Sequence, residues 1–331
     1  MNLSENEFNP ELFQETANAI RAEVAKQIVG QDGVVHHVLT GILSNGNVLL
    51  EGVPGLGKTL LIRTFGRVLA LDFSRIQFTP DLMPADITGT EILEEKEDGR
   101  RSFRFQKGPL FANLVLADEI NRATPKTQSA LLEAMQERTV TVGNTTHPLP
   151  TPYFVLATQN PIEQEGTYPL PEAQLDRFLF KVEVRYPTGD EITAILERTT
   201  GGVEPMVLPV TTGDQLIQMQ AAVRRVPVPS DVLVYTSRLI IATQPGQSAG
   251  TLVNRYVRYG AGPRGAQAII MGAKAIALMA GRFNVSFDDV AAIAPAALRH
   301  RILLNFEGLA EGIRSDDIIA ELLQLAEPAY A

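Results

Sequence analysis

The segment GVPGLGKT, residues 52–59, follows an apolar run, NVLLE, and precedes a helical pattern, LLIRTFGRVLA. A bend this rich in glycine gives up side-chain packing and backbone entropy, so its compensation has to come from a ligand. Gly52, Gly55 and Gly57 let the chain curl until its N–H groups converge on one cavity, an arrangement that suits a phosphate. The helix that follows adds the positive end of its dipole and further unpaired donors. Val53, Pro54 and Leu56 complete the loop, and Leu60 lies in the first helical turn. Lys58 is placed to reach the β- and γ-phosphates, and the Thr59 hydroxyl to bind magnesium. Gly52, Gly57, Lys58 and Thr59 fill every fixed position of the G-x-x-x-x-G-K-[ST] pattern. Chance supplies four such positions in a chain of this size only about once in a hundred. The segment predicts ATP and Mg2+ bound where a strand turns into a helix.

The 331 residues suffice for about two domains, each with its own core. A net charge of −9 argues against non-specific affinity for nucleic acid or anionic membrane. The start, MNLSENEFNPELF, lacks the basic and apolar parts of a secretory signal, so a cytoplasmic location is expected. The most apolar helix candidate, GAQAIIMGAKAIALMAGRF, contains Lys274 and many small residues, and reads as a buried packing helix without membrane insertion. The absence of cysteine removes disulfides, thiol catalysis and cysteine zinc sites. His36, His37, His147 and His300 show no metal-ligand spacing.

Residues 9–45 read as two helices around the IVGQ turn. From 47 to about 186, the runs NVLLEG, FSRIQFT, LVLADE and YFVLATQN alternate with helical segments, which predicts a parallel sheet covered on both faces. GTEILEEKEDGRRSFRFQKG (89–108) and RTVTVGNTTHPL (138–149) interrupt that alternation and read as hairpins standing off the sheet. Strand signals end near Pro187. We therefore expect a nucleotide-binding core over 1–187 and an all-helical second domain over 188–331. Its helix starts are marked by Ser230, by Ser286 with Asp289 in capping-box spacing, and by Ser315.

Hydrolysis needs a metal anchor and a group that orients water. The run NLVLADE places Asp118 and Glu119 at the end of a buried strand, sixty residues after Lys58. Asp118 would hold the magnesium through its water shell, and Glu119 would polarise the attacking water. Asn160, at the end of YFVLATQN, would sit beside Glu119 if the two strands are neighbours, where a neutral amide can orient water or touch the γ-phosphate.

The order GVPGLGKT, LVLADEINRA, LATQNP, LPEAQLDRF and GPRGA resembles the MoxR family of AAA+ ATPases over nearly the whole chain. The resemblance implies an AAA+ phosphate-loop core with hairpin inserts, a helical lid, nucleotide held between them, and a homo-oligomeric ring of six subunits. It makes Asn160 the first sensor, Arg177 the arginine finger and Arg264 the second sensor. The lid motif reads GAGPRGA where GASPRA is commoner, with Arg264 retained. An arginine lent by a neighbouring subunit can neutralise charge developing on the transferred phosphoryl group. Arg122 is a further candidate for that role. The family resemblance also implies a protein client, maturation of protein complexes including metal cofactor insertion, and a von Willebrand factor A domain partner on another chain. The alternative is an ATP-driven nucleic-acid motor or regulator of the same ring-ATPase class, for which RRSFRFQKG offers cations and two phenylalanines able to stack on bases.

Overall fold

The alternation of apolar runs and helices resolves, in the computed structural model, into one parallel sheet; residues 9–95, 101–161, 166–201 and 205–326 are described. In chain order the strands are β1 (Val48–Glu51), β2 (Phe73–Gln77), a hairpin of β3 (Gly89–Glu95) and β4 (Arg101–Lys107), then β5 (Leu114–Asp118). A second hairpin of β6 (Thr139–Val142) and β7 (Thr145–Pro148) precedes β8 (Phe154–Gln159) and β9 (Phe180–Glu183). The sheet order is β2-β5-β8-β1-β9, every pairing parallel. Both expected hairpins are present as antiparallel pairs; the EDGR turn of the first lies outside the described residues.

Side-chain alternation along the strands feeds two cores. Val48, Leu50, Leu114, Leu116, Phe154 and Leu156 face one cluster, while Leu49, Val115, Ala117, Val155 and Ala157 face the other. All five residues of β5 are buried, which explains why it reads as a continuous apolar run ending in an acid. The second cluster holds the Pro125–Glu137 helix and the roots of the hairpins. The first holds the N-terminal helices Pro10–Gln27 and Asp32–Leu43, the helix after the phosphate loop, and most of the C-terminal helices. Core and lid therefore share one hydrophobic cluster. Phe180 of β9, fully buried, marks the junction: a Cβ on Gly272 of the lid helix Pro263–Met279 would meet its ring at 2.7 Å.

The helical lid is as expected, except that β10 (Val257–Tyr259) and β11 (Leu303–Leu304) form a short antiparallel pair within it. Strands of three and two residues are too short to leave an alternation in the sequence, so the all-helical expectation is corrected there. Among the described residues no helix is long and apolar enough to cross a membrane.

Candidate nucleotide site

β1 delivers the chain into the glycine loop, where Gly55 and Gly57 take positive φ of 84° and 76°, a region that side chains resist. Gly52 is needed for a different reason: a Cβ there would lie 2.9 Å from the Val184 carbonyl. The Lys58–Val68 helix starts from Gly57 with no side-chain cap, leaving its first N–H groups directed at the cleft. The Lys58 ammonium donates to the carbonyls of Gly52 and Val53. Burial lowers its pKa, opposed by the nearby negative charges of Asp118 and Glu119.

The carboxyl ends of β5 and β8 close the other wall of this cleft of about 430 Å³, which is also lined by Pro54, Leu56, Leu60 and Asn160. Asp118 is buried; its Oδ1 accepts from the Thr158 hydroxyl at 2.6 Å, and its Oδ2 lies 3.4 Å from the Thr59 hydroxyl. Two oxygens from a hydroxyl and a carboxylate, facing a phosphate cradle, suit Mg2+, which prefers oxygen donors and takes the rest of its shell from phosphate and water. Glu119 sits in the left-handed region at φ 57°, its N–H donating to the Thr158 hydroxyl at 2.8 Å. β5 and β8 are neighbours, so Asn160, itself buried, lines the same cleft as Glu119.

Arg177 and Arg264 lie elsewhere. They line a second cleft with Asn45, Asn47 and Leu179, which precede β1 and β9 and so mark the amino ends of the strands. The length of β1, about 13 Å, separates this cleft from the phosphate loop. Both arginines are exposed, and Arg264 approaches Asp176 at 3.5 Å. Neither arginine therefore lines the phosphate cleft of its own chain. Arg122, the other candidate for lending charge across an interface, bonds the Glu119 carboxylate of its own chain at 3.0 Å.

Residues 47–180 match the family model of the ATPase family associated with various cellular activities (AAA), and 249–322 match the AAA lid domain. The chaperone MoxR1 of Mycobacterium tuberculosis is 48% identical over 303 residues, covering 91% of this chain and 79% of that one. The chain belongs to the MoxR family of AAA+ ATPases. The protein MoxR of Methylorubrum extorquens is 31% identical, over 88% of this chain and 89% of its own. A crystal structure described as a candidate ATPase from Cytophaga hutchinsonii superposes with a TM-score of 0.88 at 40% identity, covering 95% of both chains. This MoxR-family chain is accordingly an ATP-hydrolysing enzyme.

Three features of the MoxR-family site were not read from the sequence. Arg75 and Gln77 of β2 reach the acidic pair: Arg75 donates to Asp118 Oδ2 from Nε at 3.0 Å and Nη2 at 2.8 Å, and Gln77 donates to Glu119 Oε2 at 2.7 Å. Next to the glycine loop, Ile28, Val29, Val34, Ile195 and Thr199 line an apolar groove suited to a flat base. The IVGQ turn, read only as a connection, thus supplies a wall of the site. The Gly189–Thr200 helix is held there by Arg198, which donates to the carbonyls of Ala25 and Lys26.

Proposed function

We propose that the chain is a Mg2+-dependent ATPase that assembles into a homo-oligomeric ring of six subunits and uses turnover to remodel or mature protein complexes in a chaperone-like role. The observation that carries this reading is the division of the machinery between opposite ends of one sheet. Lys58, Thr59, Asp118, Glu119 and Asn160 gather at the carboxyl ends, and Arg177 with Arg264 at the amino ends. A site holding both sets requires two copies of the chain, the carboxyl-end cleft of one against the amino-end cleft of the next. Within it Lys58 and the loop N–H groups hold phosphate charge, and Glu119 with Asn160 orients water. The neighbour's Arg177 and Arg264 oppose charge that develops on the transferred group. Magnesium held by Thr59 and Asp118 supplies charge neutralisation on the phosphates when bound. The division at 187/188 into core and lid belongs to this reading. So do a protein client, a von Willebrand factor A domain partner, metal cofactor insertion as one form of maturation, and a cytoplasmic setting; the chaperone name of the Mycobacterium relative supports the role.

The nucleic-acid alternative loses support on the β3–β4 hairpin. Arg101 and Arg104 pair with Glu95 and Glu94, and Phe105 stacks on His147 with ring centroids 4.0 Å apart.

Two variants test the assignment. Lys58→Ala is expected to abolish nucleotide binding, whereas Glu119→Gln keeps it and loses hydrolysis, because phosphate charge and water orientation reside in different groups. A Glu119→Gln protein held in ATP should also retain its client for identification by mass spectrometry. Hydrolysis by Glu119→Gln at the unmodified rate would remove Glu119 from its role.

A further inference from the structure

Arg299, His300 and Arg301 follow the Phe287–Leu298 lid helix, and each reaches main-chain carbonyls of residues 176–181. The Arg301 side chain is buried, 4% exposed. Its Nε donates to Asp176 Oδ1 at 2.7 Å, and its Nη2 to the carbonyls of Asp176 at 3.1 Å and Phe178 at 2.8 Å. Its Nη1 donates to the carbonyls of Leu179 at 3.1 Å and Ala297. His300 Nε2 donates to the Phe178 carbonyl at 3.1 Å. Arg299 donates to the Lys181 carbonyl at 3.0 Å, with Asp316 holding its other nitrogens.

The bonded carbonyls flank Arg177 on both sides, while the Arg177 side chain itself stays exposed. Asp176 adds a second link, because its Oδ2 faces Arg264 at 3.5 Å while its Oδ1 is held by Arg301. One buried guanidinium thus fixes both the backbone that carries Arg177 and the carboxylate that meets Arg264. A lid could be tied to a sheet as firmly by well-packed apolar side chains, since desolvating a guanidinium is costly unless its donors are met. What a forked donor adds is a fixed geometry for the loop it binds.

We propose that Arg301, assisted by Arg299 and His300, is the positioning residue that presents Arg177 and Arg264 to the nucleotide of the neighbouring subunit. This rests on the reading that Arg177 acts across the interface, and the experiment separates the two. Arg301→Lys keeps the charge but cannot match the fork of acceptors. Its kcat is expected to fall about ten- to a hundredfold, the scale of a misplaced catalytic group, with nucleotide affinity of the isolated subunit unchanged. Mixing subunits then locates the defect. Arg301→Lys mixed with Lys58→Ala should regain activity, up to about a quarter of normal, because an intact loop meets an intact finger at roughly one interface in four. Arg301→Lys mixed with Arg177→Ala should regain none, since neither lends a working finger. Recovery with Arg177→Ala, or failure with Lys58→Ala in assembled rings, overturns the proposal. The control pair, Arg177→Ala with Lys58→Ala, tests the underlying reading alone, and its failure overturns that reading. Should Arg301→Lys not fold, Asp176→Asn, at a position 34% exposed, goes through the same pairs with the same expected pattern.

Discussion

At the scale of single residues, the Asp118 carboxylate is the most contested group in the site. Its Oδ2 faces the Thr59 hydroxyl, where a divalent cation would bind, and also accepts both near nitrogens of Arg75. Guanidinium and metal draw on the same oxygen, so they compete. Arg75 is 44% exposed, which limits the contact to about 1 kcal/mol or less. Arg75→Ala should therefore lower the Mg2+ concentration for half-saturation of nucleotide binding by about three- to fivefold, while the melting temperature without nucleotide falls slightly. Titrating Mg2+ against a fluorescent nucleotide would check this; an unchanged half-saturation point would mean that Arg75 and the metal use different oxygens. The sequence made Lys58, Thr59, Asp118, Glu119 and Asn160 legible because a loop or strand end places each one directly. Arg75, Gln77 and Arg301 were not legible. Their partners lie 43, 42 and 125 residues away, and only the sheet order and the docked lid bring them together.

Among the elements, the β3–β4 hairpin has two parts with different physics. At its root Phe105 stacks on His147 of the second hairpin and meets Phe111 edge-on at 5.5 Å, so the two inserts are joined by aromatic packing. Further out, Leu93 pairs across the strands with Phe103, and these are 56% and 71% exposed. Phe105→Ala should cost about 1–3 kcal/mol and lower the melting temperature by several degrees. Replacing Leu93 and Phe103 with serine should leave both melting temperature and basal ATPase unchanged and remove stimulation by a protein client. Stimulation that survives the double change would place client contact elsewhere. Both hairpins were readable because alternation and turn residues lie within some twenty residues of sequence. Their contact with each other was not, since Phe105 and His147 carry no mark of mutual packing. The β10–β11 pair joins residues more than forty positions apart through strands of three and two residues, which leaves nothing for periodicity to detect.

For the whole molecule, the sequence showed that a helical lid follows the sheet but not which face receives it. That choice rests on contacts such as Phe180 against Gly272 and on His300, which is buried at the junction. His300 donates from Nε2 to the Phe178 carbonyl, and its buried Nδ1 has no hydrogen-bond partner among the described residues. Protonation would add a charge beside Arg301, Lys181 and Arg299. Burial first, and then these cations, hold its pKa well below the usual histidine value. His36, between the core helices, is lowered to about 4 by burial and by the charges of His37 and Arg21. In the unfolded chain both histidines take up a proton near pH 6.5, whereas the folded protein resists it to lower pH. The unfolded state therefore binds more protons between about pH 6.5 and 4, so stability is complete above that window and is lost as pH falls through it. His36 alone should withdraw on the order of 1–2 kcal/mol by pH 5, equivalent to several degrees of melting temperature. Melting curves from pH 8 to 5 are expected to slope less for His36→Gln. They should also slope less for His300→Gln, whose amide can keep the bond to Phe178. If both variants lose stability as steeply as the unmodified protein, the acid sensitivity belongs to groups other than His36 and His300, with His37, whose pKa burial also lowers, the next to test.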